Sequence, residues 1–300
     1  MTKITNWAFF LALASTMPVI GQDYLIPVAS TNGATCGSPP FAVVAQSSGY
    51  VSCGRLGYFH WIAVGGGWAT ARTLSNPTSF DTVVQITLLD QSANVSRGLT
   101  LVRNGTTLGV QSVDTQTLPK HGSIRWEMPS GSAPTETNGQ VLVQVLAKDG
   151  PSLQSIQATE DYTYTNAAGV VYSTVTLPIA WVDQALATYT ATFEESSTDG
   201  SLGAFAIKDA SGSTAGQTVD VQAFDVNGTV LGDQKVILTA GQVVAKTSDG
   251  LFGASTFKSL PLSPIARVQF TGASGAIDVL VLQVRGQSLA SMPATAVLEQ

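Results

Sequence analysis

The chain has 300 residues, 44% of them hydrophobic but only 11% charged, and carries a net charge of −6. Typical globular proteins are about 25% charged, so Thr, Ser, Gln, Asn and Gly cover this surface instead. There is no Lys/Arg cluster, which excludes backbone-phosphate binding and with it nucleic acid as a partner.

Residues 1–21 read as a signal peptide. Lys3 supplies the positive end, Trp7–Ala14 the apolar core, and Val19 and Gly21 the small residues before a cut. Cleavage after Gly21 leaves Gln22 as the new terminus. The apolar run is well short of the ~20 residues that span a bilayer. No other segment is long enough, so the mature chain is expected to have no membrane span. The expected location is extracellular or cell-surface.

Residues 22–56 read as an irregular extension rich in Gly, Ser and Pro, with an edge strand at Phe41–Ala45. In an exported chain, the pair Cys36 and Cys53 reads as one disulfide. It closes a loop of about 17 residues, worth roughly 3 kcal/mol in chain entropy. Metal ligation by the same thiolates would need a second ligand pair, and His60 and His121 are too few to supply it. No cofactor is expected.

Residues 57–179 form the first expected domain, 180–187 a linker or a short turn of helix, and 188–300 the second domain. Strands are recognised by alternation. In Val83–Asp90, Val84, Ile86 and Leu88 share one face, with Gln85 and Thr87 facing out. Thr218–Asp225 repeats this, with Val219, Val221 and Ala223 in, and Asp220 and Gln222 out. A Gly-rich approach precedes both strands, at Gly65–Trp68 and Asp199–Gly203. Val-rich segments, Val141–Ala147 and Ile277–Val284, close both halves. The turns Leu118–Ser123 and Leu238–Gln242 also correspond.

Asn104-Gly105 and Asn227-Gly228 are strong hairpin signals, because Asn-Gly tolerates the positive φ of tight turns. Matching these two turns conflicts with matching Asp90 to Asp225. The Asp match is favoured, leaving an additional hairpin around Asn104 in the first half. Short strands with frequent turns predict an all-β protein of two tandem immunoglobulin-like β-sandwich domains.

The motif order resembles a group of exported tandem β-sandwich proteins from soil bacteria. The motifs are Phe59, Gly66-Gly67-Trp68, Leu74-Ser75-Asn76-Pro77, the strand ending at Asp90, and Leu118-Pro119 before Gly122-Ser123. A weaker copy starts at Phe193 and lacks the Gly-Gly-Trp and Asn-Pro signatures. The resemblance implies fold and no activity.

Chemistry-bearing patterns are sparse. Asp225–Gly228 lacks the sixth-position Gly and twelfth-position Glu of an EF-hand loop. Glu160-Asp161 and Glu194-Glu195 are strand neighbours pointing to opposite faces, so neither forms a glycosidase pair; a solvated strand or loop is expected. There is no Gly-x-Ser-x-Gly elbow, and catalysis is not expected. The binding candidates are His60, Trp61, Trp68 and Trp126, since exposed indole faces stack on sugar rings; core packing is the alternative. The expected function is a non-catalytic structural or adhesive protein. A carbohydrate- or polymer-binding module is second, with extracellular polysaccharide or cell-surface components as partners. One expectation is directly checkable: the unreduced mature protein holds no free thiol, and ready alkylation of Cys36 would refute the disulfide.

Overall fold

The computed structural model describes residues 25–27, 42–45, 50–92, 94–95, 98–132, 137–146, 155–181, 185–196, 200–211, 215–253, 255–257, 265–285, 288–292 and 294–297. The signal peptide and Cys36, and so the disulfide, lie outside these residues. So do the side chains of Cys53, His60 and Trp61.

The fold is all-β and antiparallel, with one short helix, α1 (Ser248–Phe252), among the described residues. The first half begins with β1 (Leu25–Pro27), β2 (Ala42–Ala45), β3 (Tyr50–Val64), β4 (Trp68–Ser75) and β5 (Thr82–Leu89). It continues with β6 (Leu99–Arg103), β7 (Thr106–Gln111), β8 (Val113–Leu118) and β9 (Ser123–Met128). It closes with β10 (Thr137–Leu146), β11 (Gln157–Thr165), β12 (Val171–Pro178) and β13 (Ala180–Trp181). One sheet runs β1-β3-β10-β5-β8, with β2 and β13 also paired to β3. The facing sheet runs β12-β11-β4-β9-β6-β7.

The second half holds β14 (Thr188–Glu194), β15 (Ser201–Asp209), β16 (Gln217–Phe224), β17 (Val230–Leu238) and β18 (Val243–Thr247). After α1 come β19 (Ile265–Gly272), β20 (Ile277–Arg285), β21 (Ser288–Met292) and β22 (Thr295–Ala296). Its sheets run β17-β16-β19-β14-β22 and β18-β15-β20-β21. Each half packs its own apolar cluster, one around Phe59, Ile86, Trp126 and Val143, the other around Phe193, Phe205, Val221 and Phe270. This is the two-layer arrangement of a β-sandwich.

The strand order is duplicated element by element. β3-β10-β5-β8 corresponds to β14-β19-β16-β17, and β9-β4-β11-β12 to β18-β15-β20-β21. The closing strands match too, since β13 pairs with β3 and β22 with β14. Among the described residues β6 and β7 have no counterpart, so the additional hairpin around Asn104 is present. One expected equivalence is corrected. The described part of the first segment, Val141–Leu146, lies in β10 and corresponds to β19, whereas Ile277–Val284 lies in β20 and corresponds to β11. These central strands read as near-continuous apolar runs because both faces are covered, and composition does not tell them apart.

The same turns hold both halves. The Asp90 Oδ1 accepts the N–H groups of Ser92 and Asn94 at 2.8 and 2.9 Å. Asp225 Oδ1 accepts those of Asn227 and Thr229, each at 2.8 Å. Asn166 repeats the loop between β11 and β12, accepting from Ala168 and Val170 at 3.0 and 2.9 Å. A short polar side chain that bonds the backbone two residues on is the mechanism of an Asx turn. Asn227-Gly228 is therefore part of a five-residue loop rather than a two-residue hairpin. Of the two Asn-Gly pairs, it is Asn104-Gly105 that has two successive positive φ angles, 47° and 79°. The Asn-Pro signature also persists in disguise. Asn76 Oδ1 accepts the N–H and hydroxyl of Thr78 at 3.0 and 2.6 Å; Asp209 Oδ1 accepts those of Ser211 at the same distances, 3.0 and 2.6 Å.

Three further expectations are corrected. Gln85 and Thr87 do not face solvent, because β5 is buried along both faces. Ala180 and Trp181 form β13 rather than helix. Glu160 is not solvated: it is fully buried, across the strand pair from fully buried Arg72, and the two form an ion pair. The Tyr162 hydroxyl donates to Glu160 Oε2 at 2.7 Å.

By sheet position, the second half sets Phe205 opposite Val281 where the first sets Arg72 opposite Glu160. Breaking a buried pair from one side leaves an uncompensated charge. Arg72→Met should cost about 3–5 kcal/mol in chemical denaturation. Arg72→Met with Glu160→Leu should recover most of it; a double variant no better than the single would disprove this account. A second prediction concerns Asp225. The N–H of Thr229, and then that of Asn227, holds its carboxyl below the ordinary aspartate range. A depressed folded pKa stabilises above the unfolded value of ~3.9 and is lost as pH falls through the folded one. Amide exchange at Thr229 should accelerate in acid, and Asp225→Ala should show fast exchange already at neutral pH.

Candidate functional site

The four sequence-based candidates do not come together as one exposed platform. Trp126 is fully buried in the first core. Its indole N–H donates to Asp114 Oδ2 at 2.7 Å, and Asp114 also takes both hydrogen bonds of Arg103 Nη1 at 2.9 Å. Its ring is taken up by packing. Trp68 is half-buried beside Tyr164, with ring centroids 4.9 Å apart and planes at 45°. It is placed by the Gly65–Gly67 turn, where Gly65 and Trp68 exchange backbone hydrogen bonds of 3.0 Å. Gly67 sits at φ 97°, and a Cβ there would meet Thr165 O at 2.3 Å. His60 and Trp61 lie within β3, but their side chains are outside the described residues.

The carboxylate neighbours divide between faces. Asp161 receives Arg125 Nη1 at 2.8 Å while Glu160 is buried with Arg72. Glu194 pairs with Arg285 at the surface, and buried Glu195 accepts the Ser248 hydroxyl at 2.6 Å. Burial raises the Glu195 pKa, against the lowering by Ser248 and the Gly203 N–H. Among the described residues, no group of three His, Cys, Asp or Glu could hold a metal ion.

The densest unusual chemistry lies where the two halves meet. Ala63, Tyr162, Val175 and Leu177 of the first half pack against Ala206, Val243 and Leu280 of the second. The N–H of Val243 donates to Gln91 O at 3.2 Å across the same junction. In β15, Phe205 and Ile207 fill the second core, and Ala206 and Lys208 turn toward the first half.

Lys208 is 1% exposed. Its Nζ donates to Gly241 O at 3.0 Å and to Gln140 Oε1. It also lies 3.6 Å from the centre of the Tyr58 ring. Gln140, in β10 of the first half, is fully buried, and its Nε2 donates to Gly241 O at 2.9 Å. Asp278 stands opposite Lys208 on β20. Burial pulls the Lys208 amine down to about 7, against the opposing pull of Asp278 and Asp209. Burial, and then Asp209, pushes the Tyr58 phenol up to about 12. This site holds a buried amine and carboxamide, with the Asp278 carboxylate at its edge. Beside it, a cleft of about 470 Å³ is lined by Leu177, Ile179 and Trp181 from one half and Tyr189, Asp278 and Met292 from the other.

Sequence reasoning missed Lys208, Gln140 and Tyr58. The available signal was Ala204-x-Ala206-x-Lys208, small residues and a lysine along the second face of an otherwise apolar strand. If the junction holds the halves together, Leu280→Glu should raise the radius of gyration in small-angle scattering while far-ultraviolet circular dichroism stays unchanged. An unchanged radius in the folded variant would disprove this role.

No protein-family model and no curated protein matches the chain. A solved β-glucuronidase of glycoside hydrolase family 2 aligns at 11% identity with a TM-score of 0.16, covering 75% of this chain. The chain spans about a quarter of that structure, 23% of its length, and likeness at this level carries no argument.

Proposed function

We propose that the chain is a secreted or cell-surface, non-catalytic structural or adhesive protein, built from two immunoglobulin-like sandwiches in tandem. The observation that carries this reading is the buried junction. Apolar side chains from both halves meet there, and Lys208 reaches from β15 to Gln140 of β10. Independently moving domains usually meet through smaller, more polar and more hydrated contacts. A duplicated scaffold joined through a buried contact suits a load-bearing or display role better than a hinged cleft. The weakly charged, Thr- and Ser-rich composition and the signal-like N-terminus suit an exported protein.

The second reading is a polymer-binding module, favoured by the partly exposed Trp68 beside Tyr164. Labelled mature protein should be tested against insoluble polysaccharides and whole cells, with Trp68→Ala in parallel. The structural or adhesive reading expects retention on cells that the variant keeps. Retention on a polysaccharide that Trp68→Ala abolishes would replace it with the second reading. Retention on neither would overturn the adhesive role.

A further inference from the structure

The junction brings together two groups that react when held dry and close. The Lys208 amine and the Gln140 carboxamide come from different halves, and both are shielded from water. Their hydrogen bond places Nζ within ~4 Å of the Gln140 Cδ, since a carbonyl bond adds only ~1.2 Å to a hydrogen-bond distance. The Gly241 carbonyl accepts from Nζ at 3.0 Å and from Gln140 Nε2 at 2.9 Å, so one atom holds both nucleophile and leaving group. Asp278 is the cross-strand neighbour of Lys208, and such neighbours have Cβ atoms ~5 Å apart.

We infer that Lys208 and Gln140 join in an intramolecular isopeptide bond that links the two halves covalently. The neutral amine attacks Cδ, and the Nζ–Cδ bond forms as the Cδ–Nε2 bond breaks. The amine gives up one proton, which the Asp278 carboxylate relays to the departing nitrogen, and ammonia leaves. The step needs no oxidant, reductant or metal. Fixed geometry replaces a bimolecular encounter, and excluded water keeps hydrolysis from competing.

Only the unprotonated amine is a nucleophile. Burial, which lowers the Lys208 pKa to about 7, supplies it near neutral pH. The ionisable groups around the amine are Tyr58 on β3, Asp278 on β20 and its neighbour Asp209. β10 contributes the uncharged Gln140, and the β18 residue paired with Lys208 is Val243. The bond should therefore form faster as pH rises through neutrality.

The test is peptide mapping by mass spectrometry of the folded, full-length mature protein, reduced after incubation at mildly alkaline pH. The expected product is one branched peptide joining the segments around residues 140 and 208, lighter than its parts by one ammonia, ~17 Da, with no tryptic cut after Lys208. The branch is the decisive readout, because cyclisation of an N-terminal Gln22 would also release ammonia. Asp278→Asn should slow its appearance, and Gln140→Leu should abolish it. Separate peptides with normal cleavage after Lys208 would overturn the inference and leave a purely hydrogen-bonded contact. A branch lighter by one water, ~18 Da, would place the bond on a carboxylate and also overturn it.

Discussion

Burial of the Lys208 amine is the constraint around which the junction is arranged. An ammonium or amine out of water is costly unless its hydrogens are taken up. Here two carbonyl oxygens and an aromatic face accept it. Those acceptors are spread over β3, β10 and the turn before β18, so satisfying one side chain fixes three elements from both halves. Gln140 adds a reciprocal bond to the same Gly241 carbonyl. The surrounding contacts of Tyr162, Val175, Leu177, Ala206 and Leu280 keep the site dry. Once water is absent, shifting one sandwich against the other would strand these polar groups. A contact that penalises displacement so steeply behaves as a fixed joint.

The duplication shows which parts of the scaffold tolerate change. Strand order, the Asp90 and Asp225 loops and the Asn76 and Asp209 turns are kept in both halves. Core chemistry is not kept, since Arg72–Glu160 occupies the place of Phe205–Val281. Backbone-directed hydrogen bonds define where strands stop, whereas a core position only has to be filled and satisfied.

Much of the architecture was legible because alternation and turn chemistry are local. The strand ending at Asp90 and its partner ending at Asp225 were readable from side-chain period and the Asp that follows. The hairpin at Asn104 was readable from its Asn-Gly pair. The misplaced equivalence of β10 with β20 came from strands buried on both faces, where alternation carries no information. The identity of Asn76 with Asp209 was hidden because a side-chain oxygen, rather than a residue name, makes the turn. The junction was illegible for a different reason. Lys208, Gln140 and Tyr58 lie far apart in sequence, and burial by a second sandwich leaves only a faint trace in a single strand.

The divergence at Arg72 and Phe205 bears on how a tandem repeat avoids assembling wrongly. Two neighbouring copies of one topology emerge in succession from the ribosome, and strand exchange between such copies is a characteristic misfolding route. If β15 entered the first sandwich in place of β4, Glu160 would face Phe205 and lose its counter-charge. If β4 entered the second, Arg72 would be buried against Val281. Either exchange leaves an ion unpaired in an apolar interior, at a cost of about 3–5 kcal/mol. The buried ion pair thus works as an address label, keeping each strand with its own sandwich while the chain is still being made.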